Sequence, residues 1–164
     1  MYYHGSSTSG IKVFEPRPSR VIDGETAVFA TNEKWIALVS AVRHTGVDLD
    51  YGYVGEAYIA EMWPGAFQML KQSGYLYYIN RYGFHSDPRL GMRNHEFIRR
   101  SRVKVVRCQP IPNIYQALKE TGIKMIPWSK VARWWRIKKI PVDRSLVNRM
   151  YRKKYGTIWP EPHE

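Results

Sequence analysis

The sequence has a single cysteine, Cys108, among 164 residues. That excludes an internal disulfide and a cysteine-rich zinc site, and sets a reducing, cytoplasmic (intracellular) location as the expectation. No apolar run is long enough to span a bilayer, so no membrane partner is expected. The N-terminus lacks the basic and apolar regions of a signal peptide; His4, Gly5 and a Ser/Thr cluster stand there instead. Gly-rich phosphate loops are absent, which removes P-loop and Rossmann readings. There is no Gly-x-Ser-x-Gly elbow. His44, His85 and His95 lack metal-ligand spacing, so no metal is expected. There is no internal repeat and no low-complexity segment.

Acidic residues are also scarce, but only in part of the chain. Residues 1–98 hold nine Lys/Arg and ten Asp/Glu, a net of −1; residues 99–164 hold seventeen and four, a net of +13. A block so basic attracts polyanions by Coulomb forces and counterion release, and nucleic acid is the expected partner. The basic residues run through a tail that starts near Pro127, with Trp and Tyr between them. Arg133, Trp134, Arg136, Lys138, Lys139, Lys153 and Lys154 are the candidate nucleic-acid contacts, the cations on phosphates and the rings on unpaired bases. The competing reading is a C-terminal helix whose Trp residues pack on a core and whose charges are solvated.

Hydrophobic residues make up 44% of the chain, enough for the core of one domain, or of one domain with a tail. "MYYH" reads as a short strand ended by Gly5. Pro16 and Pro18 keep "IKVFEPRPSR" extended. "GETAVFAT" reads as a strand, and Asn32 as the N-cap of a helix with Trp35, Leu38, Val39 and Val42 on one face. "DYGYVGEAYIAEM" and "GYLYYINRY" read as strands, and "HEFIRRSRVKVVRC" as one or two. In the last of these, Val103, Val105 and Arg107 are expected on the side opposite Lys104 and Val106. "PNIYQALKETG" is a short helix between an Asn113 cap and Gly122. Pro141 separates two helical pieces of the tail. The expectation is an α+β chain, with a sheet-rich core over 1–126 and a basic, aromatic-rich extension over 127–164.

A strand carrying His4-Gly5-Ser6 resembles the first motif of the diphtheria-toxin-like ADP-ribosyltransferases, the group that includes the poly(ADP-ribose) polymerases. "AVFAT" (Ala27–Thr31) is similar to that family's apolar-Phe-Ala strand, and "NHEFI" (Asn94–Ile98) to the strand bearing its catalytic glutamate. The resemblance covers about residues 1–110. It implies a split antiparallel β-sheet core with few helices. It also implies NAD, as substrate, bound at His4, Gly5, Ser6 and Thr31, and catalysis by Glu96 with His4. The family's nicotinamide-stacking tyrosine falls at Val39 here; Tyr53, Tyr58, Tyr77 and Tyr78 are the rings left to replace it.

Cleaving a ribose–nicotinamide bond builds oxocarbenium character, which a carboxylate beside the ribose stabilises. Glu96, among Arg93, His95, Arg99 and Arg100, is the first candidate; Glu56 and Glu61 are weaker ones. The leading expectation is therefore NAD-dependent transfer of ADP-ribose to nucleic acid. The alternatives are a nucleic-acid N-glycosylase on the same fold without NAD, and a non-catalytic nucleic-acid-binding module. If the enzyme reading holds, His4 and Glu96 must face one cleft.

Overall fold

The structure is a computed structural model, which describes residues 1–92 and 94–164; of the residues expected around Glu96, Arg93 lies outside it. The chain has mixed α and β content, with ten strands and four α-helices among the described residues. Its contacts divide it into two units, neither continuous in sequence: Met1–Val42 with Gln72–Thr121, and Arg43–Lys71 with Gly122–Glu164. The boundary expected near Pro127 is not where the contacts fall. The basic tail folds together with residues 43–71, because its tryptophans need an apolar partner and that insert supplies one.

The first unit is a curled antiparallel sheet carrying two helices. Its strands are β1 (Tyr2–Ser6), β2 (Val13–Phe14), β3 (Arg17–Pro18) and β4 (Thr26–Thr31). After the insert come β7 (Gly74–Ile79), β8 (Glu96–Arg99) and β9 (Val103–Ile111). The order is β2-β9-β7-β1-β4-β3, with β8 also paired to β4. β1 continues through Gly5 to Ser6 because both residues stay in the ladder, opposite Leu76 and Tyr75. On its other side β1 meets β4 at one pair only, Tyr3 with Thr31, and beyond it the two strands part.

Alternation sorts the side chains onto two faces. Tyr2, His4, Val28, Ala30 and Tyr77 lie on the first face, over a core with Phe14, Ile79 and Val103. Tyr3, Gly5, Phe29, Thr31 and Glu96 lie on the second. Helix α1 (Lys34–Ser40) crosses that second face with Trp35 to Val39 all buried. It starts one residue later than Asn32 would have set: the Thr31 hydroxyl accepts the Glu33 amide at 3.0 Å, so Thr31 supplies the cap-like bond. Helix α2 (Ile114–Glu120) has the expected ends. The Asn113 side chain accepts the Gln116 amide, and Gly122 follows the last turn with φ +77°.

The second unit is built on β5 (Leu49–Tyr53), β6 (Ala57–Glu61) and β10 (Lys124–Ile126), with β6 central. The stretch expected as one strand is a hairpin. Gly55, at φ +75°, turns the chain between β5 and β6. β10 joins β6 in parallel, so this sheet is mixed. Helices α3 (Trp128–Lys138) and α4 (Arg144–Tyr155) flank Pro141, as its missing N–H and fixed φ require. Their inner faces place Trp134, Trp135 and Tyr151 in one core with Tyr58, Met62 and Trp159.

Candidate nucleotide-binding cleft

Where β1 and β4 part, they open a cleft of about 620 Å3 in the first unit. His4 and Ser6 stand on its sheet side, Phe14 and Val28 give it apolar walls, and Glu15 and Arg17 lie at its edge. His4 bridges the gap between the strands: its Nδ1 is 2.7 Å from the Phe29 carbonyl oxygen. A carbonyl only accepts, so Nδ1 carries the proton and donates. Burial, with the Phe29 bond opposing it and Arg17 nearby assisting, pushes the imidazole below its usual pKa. At neutral pH the ring is uncharged, and Nε2 is left as a lone-pair acceptor. Ser6 receives the Thr8 amide at 3.1 Å through its hydroxyl oxygen, which fixes the side chain and leaves its proton to donate.

Glycine at position 5 has a different cause. A Cβ there would sit 1.7 Å from the Ala37 carbonyl oxygen and 2.9 Å from the Ala41 amide nitrogen. Gly5 is thus the point where α1 rests directly on the strand, on the face away from His4. Packing accounts for it without a ligand. Thr31 is likewise engaged in starting α1, is 4% exposed, and lies on the α1 face.

The structure does not bring Glu96 to His4. Tyr3 pairs with Thr31 and Thr31 with Glu96, so those three side chains share the α1 face. His4, one residue on from Tyr3, points the other way, and Phe97 goes with it, stacked on Tyr2 at 4.5 Å between ring centres. Both His4 and Glu96 border a cavity of about 70 Å3 under α1, too small for a nucleotide. The Glu96 carboxylate turns back to accept the Met92 amide at 3.1 Å. The expectation that the two residues face one cleft is therefore corrected. A one-residue offset in register reverses a side chain's face, and no strand-by-strand reading contains that offset.

The other carboxylates are structural. Glu61 is buried and holds two backbone amides, Phe67 N and Trp128 N, each at 2.8 Å. Glu56 pairs with Lys124 at 3.1 Å and Lys138 at 3.3 Å. Asp87, Glu25 and Asp23 gather around Arg89 at 2.8 to 3.0 Å, and Arg100 joins at Glu25. Bonds from Arg89 hold Asp87 well below the usual carboxylate range. Among the described residues no cluster of His, Cys, Asp and Glu is arranged to hold a metal.

The tail residues also divide. Trp134 is buried against Tyr58, with the Lys124 ammonium 4.7 Å and the Lys138 ammonium 5.0 Å from its ring centre. Leaving the core to stack on a base would forfeit roughly 200 Å2 of burial, about 5 kcal/mol at ~25 cal/mol per Å2. A stacked base returns about 1–3 kcal/mol. Trp134 is therefore a core residue, and its assignment as a base contact is corrected. Lys138 is held by Glu56, Arg136 by Glu164 at 2.6 Å, and Lys154 by the buried Asp48. Arg133, Lys139 and Lys153 are exposed, and none has a carboxylate within 4 Å among the described residues.

Asp48 was not legible as important. Fully buried, it accepts from the Thr45 amide and hydroxyl, Trp63 Nε1 at 3.2 Å, the Lys154 ammonium and the Tyr155 hydroxyl. Burial opposes its charge, but those donors outweigh burial and hold its pKa at about 2. Its donors come from both ends of the unit, and no local sequence pattern joins position 48 to 154. Comparison with protein-family models, with curated proteins and with solved structures returned no match.

Proposed function

We propose that the first unit binds a nucleotide in the cleft between β1 and β4, with NAD the ligand that the His4-Gly5-Ser6 resemblance implies, and that the protein's macromolecular partner is nucleic acid. One observation carries the first part: His4 is neutral, fixed by the Phe29 carbonyl, and keeps Nε2 free in a cleft of nucleoside size. A ribose hydroxyl can donate to Nε2, the Ser6 hydroxyl can bond the same sugar, Phe14 flanks a base, and Arg17 meets a phosphate. The partner rests on a net charge of +12, shared as +6 and +6 between the two units, each with thirteen Lys/Arg and seven Asp/Glu.

The ADP-ribosyltransferase-like reading of the core belongs here too, supported by the order of the three motifs and by the parted strands at the His4 motif. Its catalytic half is weaker. A transfer needs a carboxylate at the ribose, and Glu96 lies on the opposite face. That observation favours a nucleotide-binding module over an enzyme acting through Glu96. Calorimetric titration with NAD, with chromatography for released nicotinamide, tests both. The expected result is binding that His4→Ala removes, with no nicotinamide released. No binding at millimolar NAD overturns the cleft assignment. Nicotinamide release that Glu96→Gln abolishes restores the enzyme.

A further inference from the structure

The second face of the first sheet carries a row that runs across five strands. Glu96 on β8 pairs with Thr31 on β4, Thr31 with Tyr3 on β1, Tyr3 with Tyr78 on β7, and Tyr78 with Arg107 on β9. Arg107 reaches this face through a bulge. Ile79 pairs with Val105 but its neighbour Tyr78 pairs with Arg107, so Val106 is an extra residue. The bulge puts Arg107 on the side opposite the buried Val103, where simple alternation would have placed it with Val103 and Val105.

The two tyrosines meet edge to face, 5.3 Å between centres. The Arg107 guanidinium lies 4.6 Å from the Tyr78 ring centre, and the Lys34 ammonium 5.7 and 5.8 Å from those of Tyr3 and Tyr78. Gln109 accepts from the Tyr78 hydroxyl at 2.8 Å and fixes that ring. A cleft of about 550 Å3 opens beside Tyr3 and Lys34, floored by Leu76 and Gln109. Neither Lys34 nor Arg107 has a carboxylate within 4 Å among the described residues. Two acids lie on the cleft's rim, each with a partner: Glu33 faces His95 at 3.5 Å and Glu120 accepts from the Gln116 side-chain amide; Glu96 accepts the Met92 amide. Lys104 is exposed on β9 and alternates with Val103 and Val105, which brings a third cation to the same face.

We infer that this face, between Tyr3 and Arg107, binds single-stranded nucleic acid. A base stacks against the Tyr3–Tyr78 pair at the edge of the cleft, and Lys34, Arg107 and Lys104 neutralise the flanking phosphates. Rings beside uncompensated cations recognise an unpaired strand: every base has a π-face, whereas a duplex keeps its faces stacked inside. Tyr3 to Arg107 spans two strand spacings, roughly 10 Å, the reach of one or two nucleotides. The Glu96 end of the row repels phosphate, which fixes where the strand leaves. The inference rests on the nucleic-acid partner proposed above and moves its contact from the tail to the sheet.

Fluorescence anisotropy with a labelled ten-nucleotide oligo(dT), at several salt concentrations, tests it. Tyr78→Leu is expected to weaken binding about 5- to 100-fold with an unchanged salt slope. Tyr78→Phe, which keeps the ring, is expected to retain most of the affinity. Lys34→Gln and Arg107→Gln should each lower the slope of log affinity on log salt by about 1. Far-ultraviolet circular dichroism and a thermal melt of the same variants report that they are folded. If the wild-type protein binds no oligonucleotide at low salt, the partner assignment falls and this surface with it. If it binds, and only Arg133, Lys139 and Lys153 substitutions reduce binding, the partner stands and the surface falls.

Discussion

The two units carry the same net charge and differ in what surrounds their free cations: Arg133, Lys139 and Lys153 of the second are exposed, whereas Lys34 and Arg107 of the first lie over tyrosine rings. In the second unit the two buried acids are well supplied with donors: Asp48 has five and Glu61 two backbone amides, while the exposed Glu56 holds two lysines. Even the end of the chain is neutralised, with Arg136 on Glu164 and Arg144 on Glu161. The first unit has its own closed network around Arg89, but beside it leaves Nε2 of His4 open in one cleft, and Lys34 and Arg107 over tyrosine rings without a carboxylate on the other face. Paired groups hold a fold together, and accessible groups without a partner are open to a ligand. The tail that looks most like a nucleic-acid contact in sequence spends much of its charge on its own unit.

The largest effect is expected for Asp48→Ala. It strands Lys154 and Tyr155 and should cost about 3–5 kcal/mol in urea unfolding followed by tryptophan fluorescence, which the second unit dominates. A cost under about 1 kcal/mol would mean the cluster is incidental. Acid makes the same point without mutation. The Asp48 carboxyl is depressed when folded, so its contribution is full above the ordinary value of 3.8 and is lost as pH falls toward about 2.

Next in size is Gly5→Ala. The added methyl meets backbone rather than a movable side chain, so α1 must lift from the sheet. The cost should lie at the upper end of the about 1–3 kcal/mol typical of overpacking, read as a shift in thermal midpoint. A neutral result would reassign the glycine to ligand approach. His4 gives a smaller and opposite test of what an open group does. Its pKa is lowered in the fold, so the folded state favours the neutral ring. Stability should be constant above about pH 6.5 and fall as pH drops below it, and His4→Gln should flatten that stretch of the profile. Smallest of all, Lys139→Gln and Lys153→Gln should change stability by no more than about 0.5 kcal/mol, while Lys154→Gln, which uncovers Asp48, should exceed both.

Much of the local structure was written in short stretches of residues. Asn113 and Gly122 bound α2, Pro141 parts α3 from α4, and the β-branched and aromatic runs are strands. The candidate site was legible in part. His4 and Ser6 do line a cleft of ligand size, because a residue's place on its strand is a local matter. Glu96 was rightly put on a strand and wrongly put in that cleft. Trp134 was rightly put on a helix, but which way its ring turned depended on Tyr58, far away in the chain.

Local sequence set most of the elements, and composition set the single thiol and the surplus of positive charge. Tertiary structure decided which charges remain free, because ion pairs such as Lys154 with Asp48 join positions more than a hundred residues apart. It also decided which face each strand residue takes. A side chain's face changes with every single step along a strand, so one pairing, Tyr3 with Thr31, and one extra residue, Val106, separate Glu96 from His4 and carry Arg107 to the tyrosines.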